Sequence, residues 1–304
     1  MEIINLNENV LRTLDFFIEN KVPKLDLAEF KLPFVVGSGN AYNTGMILFS
    51  ERAAVFADES NFKNVMDSYK EVIGKGLISQ ALIISASGEK DAPWETELAK
   101  QYGLKTTLLT CSPDSAAAKI ADETIAYRKI AEPYTYNFST YAGMILSATG
   151  EDPKGIKNII ERLDIPANFS EYESFAFVLP DEFLNICPMI DIKKSELFGP
   201  HLSLRAFSSG HARHAKFVIP WERELVISIN TENKYFGHPQ HRWNIQLPEK
   251  SSFGTILSVT YYLVGKIQEI KPPYFKKNIE AYCNDYGPRA YGKGVPFDVI
   301  VPGN

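Results

Sequence analysis

Three times within residues 33–126 an apolar run ends in a turn of small and hydroxylated residues and then enters a helix-like or small-residue stretch. The runs are Pro33-Phe34-Val35-Val36, Gln80-Ala81-Leu82-Ile83-Ile84 and Leu104-Lys105-Thr106-Thr107-Leu108-Leu109. A short apolar run bounded by turn signals reads as a strand buried on both faces, the mark of a parallel sheet. Repeated strand–turn–helix units place their turns along the carboxyl edge of one sheet, where open α/β sheets hold ligands. The expected fold class is therefore α/β, with doubly wound parallel sheets flanked by helices.

The second turn carries the most chemistry. Ser85-Ala86-Ser87-Gly88-Glu89-Lys90 leads into Asp91-Ala92-Pro93-Trp94-Glu95, whose early proline and acidic residues mark a helix start. A first helical turn has unpaired N–H groups and a partial positive charge. The two serines add donors, Gly88 supplies the turn, and Lys90 adds a full charge, so the stretch suits a phosphate. The same residues also serve as an ordinary helix cap and loop, and Ser-x-Ser-Gly alone does not separate the two roles.

The first turn, Gly39-Asn40-Ala41-Tyr42-Asn43-Thr44-Gly45-Met46, precedes Ser85-Ala86-Ser87-Gly88-Glu89-Lys90 in an order and at a distance that resemble the sugar isomerase (SIS) domain family. In particular they resemble the isomerase half of glucosamine-6-phosphate synthases, in which such turns hold a sugar phosphate. Ala41 stands where the family places a phosphate-binding Ser, and Lys90 replaces a Thr hydroxyl. The resemblance implies a double-SIS chain: a helical lead-in at 1–30, a phosphate-binding first SIS domain at 31–150, a second at 151–270 and a tail at 271–304. It also implies sugar-binding roles for Gly39 and Asn40 beside Ser85, Ser87, Gly88 and Lys90. Ser139 and Thr140, which follow Glu132 in a pattern similar to the family's but with a spacing two residues different, are further candidates, and N-capping is the more ordinary role for such residues.

The second half offers strands at 175–179, 216–219, 224–229 and 243–247, then a long apolar helix at 253–267. All five histidines, His201, His211, His214, His238 and His241, fall between residues 201 and 241. The pairs 211/214 and 238/241 lack a cysteine or paired carboxylate at a metal-ligand spacing, so no metal is expected. Ala206-Phe207-Ser208-Ser209-Gly210-His211-Ala212-Arg213-His214 resembles the family segment that ends in a ring-opening His, supplied by the neighbouring subunit. His214 takes that role, and the resemblance implies a homodimer. Lys193-Lys194-Ser195-Glu196 is similar to the segment bearing the family's proton-transferring Glu. Glu196 takes the base position if two extra residues lie near Gly199-Pro200; otherwise Phe198 does. Lys277 matches a tail lysine that enters the family's active site.

Composition narrows the partners. A 304-residue chain that is 45 % hydrophobic has ample core for one large or two ordinary domains. A net charge of −5 with dispersed Lys and Arg leaves no footprint for nucleic acid, and a small ligand is the better expectation. Three widely spaced cysteines fit reduced thiols, and neither a leader nor a membrane-length apolar run is visible, so the expected location is cytoplasmic. No cofactor is expected. Two functions stand open: an aldose–ketose isomerase or deaminating or deglycating enzyme acting on a hexose phosphate, or a sugar-phosphate sensor without catalysis.

Overall fold

In the computed structural model, which describes residues 3–286 and 296–304, the apolar runs become neighbouring strands. Residues 287–295, part of the tail expected at 271–304, and the first two residues lie outside the described residues. The chain divides into two compact units. One, here the N-terminal unit, comprises Lys21–Ala131, Ser139–Gly150 and Gly303–Asn304; the C-terminal unit comprises Met1–Asn20, Glu132–Phe138 and Glu151–Pro302.

The chain begins with α1 (Leu6–Glu19). The N-terminal unit is then built on β1 (Phe34–Gly37), α2 (Asn40–Leu48), β2 (Val55–Ala57), α3 (Phe62–Ser68), α4 (Lys70–Gly74), β3 (Gln80–Ile84), α5 (Ala92–Gln101), β4 (Lys105–Thr110) and β5 (Glu123–Ala126). The five strands are parallel in the order β2-β1-β3-β4-β5. Phe34, Val36, Ala81, Ile83 and Leu108 are fully buried in its core, as strands covered on both faces require. The order reverses between β1 and β3, so their carboxyl ends flank the crevice where such sheets bind ligands. After β4 the segment 116–121 forms successive turns where small residues suggested a helix start. The unit closes with α6 (Phe138–Thr149), whose first N–H donates to the Glu132 carboxylate.

The C-terminal unit continues through β6 (Glu132–Pro133), α7 (Pro153–Glu161), β7 (Ser174–Leu179), α8 (Cys187–Phe198), β8 (Ser203–Ser208), α9 (Ser209–Ala215), β9 (Glu224–Ile229), β10 (Arg242–Ile245), α10 (Phe253–Ile270), α11 (Tyr274–Ala281) and β11 (Ile300–Val301). Its four-stranded sheet is again parallel, in the order β10-β9-β7-β8, while β11 pairs antiparallel with β6. The fold is thus two α/β units, each with a central parallel sheet.

Two expectations change. The helix α1, expected as a lead-in directly before the first domain, packs instead on α10 and α7 of the C-terminal unit. The backbones meet at Gly265, where a Cβ would stand 1.9 Å from Asn7 N; only glycine permits that approach. The strand expected at 216–219 is instead a loop anchored by the buried Phe217, and β8 takes its place in the sheet. Lys216 and Phe217 adopt left-handed φ values of 72° and 43°, turning the chain out of α9 before any pairing forms, and Val218 and Ile219 are 80 % and 83 % exposed. The apolar α10 is held at its start by Glu151, whose carboxylate accepts from Ser252 N (2.8 Å), Gly254 N (2.7 Å) and Thr255 N (3.0 Å).

Candidate functional site

In the N-terminal unit the Ser-x-Ser-Gly stretch is the turn between β3 and α5. Ser85 N still pairs with Leu109 O (3.0 Å), extending the strand, before the chain turns through Gly88 at φ +60°. A Cβ on Gly88 would meet Ser115 Oγ at 2.0 Å, so glycine is required both by φ and by the closeness of the following turn. Ser85 Oγ accepts from Gly88 N (3.1 Å) and Ser87 Oγ from Glu89 N (3.3 Å). Each hydroxyl oxygen is thereby pinned through a lone pair, which leaves its proton to donate elsewhere. Ser87 and Lys90 are exposed, and Asp91 directs its carboxylate to the Trp94 indole (3.1 Å) rather than to the backbone of α5.

The first turn lies beside it because β1 and β3 are paired. A Cβ on Gly37 would stand 3.1 Å from Ile84 O, which measures how closely the two strand ends approach. Gly39, at φ +57°, is the N-cap of α2, and Asn40 begins the helix. Asn40 is 8 % exposed and its Oδ1 has no hydrogen-bond partner, an acceptor left over at the amino end of a helix on the sheet's switch point. Gly39, Asn40, Ser85, Ser87, Gly88 and Lys90 are thus gathered on two adjacent turns. Ser139 and Thr140 lie on neither turn: both are fully buried in α6, and Thr140 Oγ1 meets Cys111 Sγ at 3.7 Å.

The C-terminal unit holds the remaining candidates. Glu196 occupies the last turn of α8 and pairs with Lys193 Nζ at 2.5 Å. Lys193 is fully buried and also donates to Thr135 O, the two acceptors that allow an ammonium to be buried at all. Burial pushes the Glu196 carboxyl above the usual carboxylate range, and Lys193 opposes that shift. Phe198, the other occupant considered for the base position, is 2 % exposed and packed in the interior, whereas the Glu196 side chain is 25 % exposed. His214 on α9 and Lys277 on α11 are exposed, and no hydrogen bond or ion pair joins either to Glu196 among the described residues. Sequence reasoning missed Lys193; its signal was an i, i+3 cation before Glu196 on one helix face.

His238 and His241 play structural parts. His241 Nδ1 bonds Tyr172 OH (2.9 Å) and its ring lies 4.8 Å from that of His238, while His238 Nδ1 accepts from Gln240 N (3.4 Å). Among the described residues no three His, Cys, Asp or Glu side chains form a metal-binding group, and no helix is long and apolar enough to cross a membrane.

No family model matches the chain, and no curated protein matches it in sequence. Solved structures do share its fold. The C-terminal domain of glucosamine-fructose-6-phosphate aminotransferase from Francisella tularensis matches with a TM-score of 0.59 at 14 % identity, over 87 % of this chain and 93 % of that one. Glucosamine-6-phosphate deaminase from Thermotoga maritima matches at 0.56 and 16 %, over 87 % and 94 %. Tagatose-6-phosphate ketose/aldose isomerase from Escherichia coli matches at 0.56 and 15 %, over 89 % and 92 %. The chain therefore shares the fold of these three proteins.

Proposed function

We propose that the chain binds a sugar phosphate, with the phosphate on the Ser85–Lys90 turn, and acts on it as an aldose–ketose isomerase or a deaminating or deglycating enzyme. The observation that carries this reading is the pair of pinned hydroxyls, Ser85 and Ser87, at the sheet's switch point with Lys90 on the same turn. The solved structures that share the fold include a deaminase and a ketose/aldose isomerase whose names specify 6-phosphate sugars. Glu196 is the proposed base. Moving a proton between adjacent carbons needs a group that accepts and returns it, and a carboxyl whose protonated form is favoured by burial suits that role. His214 is the proposed ring-opening group and Lys277 an assisting cation, with His214 contributed across a homodimer; light scattering at micromolar concentration checks that assembly.

A sugar-phosphate sensor is the second reading, favoured by the Lys193–Glu196 pair, since a carboxylate held by a buried ammonium is a weaker base. Glu196→Gln separates the two. The enzyme reading expects turnover to fall by about 100-fold or more with sugar-phosphate affinity retained. A wild-type chain that binds sugar phosphates but turns none over establishes the sensor.

A further inference from the structure

The last two residues of the chain are seated in the N-terminal unit by a set of bonds that the proposed function does not use. Asn304 Nδ2 donates to the carbonyls of Cys111 and, at 3.4 Å, Tyr127; its Oδ1 accepts from Lys129 N (2.8 Å) and its own N–H donates to Lys129 O (3.2 Å). Gly303 fits only as glycine, since a Cβ would stand 2.7 Å from Ala131 N and 2.8 Å from Lys129 O.

Cys111 is the first residue after β4, and from there the chain is stitched to the anion turn. Cys111 N donates to Ala86 O (3.0 Å), as does Thr110 Oγ1 (3.2 Å). Ala117 N donates to Gly88 O (3.0 Å) and Ala116 N to Glu89 Oε1 (3.1 Å). The Ala86 and Gly88 carbonyls and the Glu89 carboxylate of the Ser85–Lys90 turn thus accept from donors supplied by residues 110–117. Asn304 holds the carbonyl at the start of that segment and ties it to the strand exit at Tyr127–Lys129.

We propose that Asn304 is a positioning residue of the anion turn, fixing the Cys111 segment against Ser85–Lys90 in the geometry that takes a phosphate. The proposal rests on the phosphate reading given above. Because linkage is reciprocal, a phosphate on the turn also tightens the seat of Asn304.

The test uses the full chain and inorganic phosphate. Asn304→Ala weakens phosphate binding by on the order of 3- to 10-fold by calorimetry, and Gly303→Ala, which displaces the same seat through the backbone, gives a similar loss. Added phosphate slows hydrogen exchange at the Lys129 amide of the wild type, a response that a seat of purely structural value does not show. In a Ser87→Ala background the loss on Asn304→Ala shrinks, since both changes act on one turn. Wild-type affinity in both variants overturns the proposal. A wild-type chain that binds no phosphate overturns the anion reading instead.

Discussion

Each α/β unit ends a strand in a turn of serines and a glycine, and the two turns use their donors in opposite ways. In the N-terminal unit Ser85 and Ser87 accept backbone N–H groups and keep their protons, while the nearby Glu89 carboxylate is drawn off to Ala116 N at 3.1 Å. In the C-terminal unit the turn from β8 to α9 is Ser208-Ser209-Gly210, and it is filled from within. Asp181, from the loop after β7, accepts from Gly210 N at 2.7 Å, and Ser209 Oγ donates to Leu179 O at 3.1 Å. The Gly210 N–H and then the Ser208 hydroxyl hold the Asp181 carboxyl below the usual carboxylate range. An anion already sits where a phosphate would. The same residue types therefore make a ligand turn in one unit and a closed cap in the other, and a neighbouring carboxylate decides which.

The sharpest way to break this comparison is to install the carboxylate where it is missing. Ser87→Asp is expected to lower sugar-phosphate affinity by at least about 100-fold, because a fixed negative charge meets the ligand's at close range. Ser87→Ala, which removes a donor and adds no charge, is expected to remove only about 1–3 kcal/mol. Calorimetry against a panel of hexose phosphates reads both. Equal affinities in the wild type and Ser87→Asp would place the anion elsewhere.

Local chemistry was legible in the sequence; its use was not. The strands β1, β3 and β4 are covered on both faces, so unbroken runs such as Leu82-Ile83-Ile84 announced them, and Pro93 marked the start of α5. β8 was missed because Ser203-Leu204-Arg205-Ala206-Phe207-Ser208 is less apolar than the Val218-Ile219 loop that the sequence favoured. What sequence could not reach is long-range. Glu151 caps α10 from about a hundred residues away, Asn304 seats on Cys111 from 193 away, and Asp181 closes a turn 29 residues on. Partners so far apart leave no spacing to read. Lys193 was hidden differently: a lysine is expected at the surface, and the Thr135 carbonyl brought over from another segment joins Glu196 in making its burial possible.

Carboxylates near helix starts sharpen the comparison further, because Glu95 in α5 behaves oppositely to Asp181. Glu95 is 2 % exposed, its Oε1 has no partner, and burial, with Asp91, Glu59 and Asp58 nearby, pushes its carboxyl from 4.5 to about 8. The folded protein then keeps a proton that the unfolded chain releases, so this group's contribution is full below pH 4.5 and is lost as pH rises toward about 8. Glu95→Gln, neutral throughout, is expected to stabilise the protein by on the order of 2 kcal/mol at pH 8 and by little at pH 4. Urea melts at the two pH values check it, and a wild-type stability that is flat between them would count against a protonated Glu95.

The smallest expected effect tests the closed turn itself. Asp181→Asn removes the charge and keeps one acceptor for Gly210 N, so the turn should hold its shape and phosphate affinity should stay within about 2-fold of wild type. What should change is the acid limb of stability. A carboxyl held low in the folded state favours folding above its ordinary titration range and loses that contribution as pH falls through its folded value, a dependence the amide cannot have. The variant should therefore unfold at a lower urea concentration than wild type near neutrality and converge with it in acid. Convergence without a gain of phosphate binding would mark Asp181 as a cap for α9. A gain of phosphate binding in Asp181→Asn would show that the C-terminal turn is an anion site which this carboxylate blocks, and the contrast between the two units would then lie in one residue.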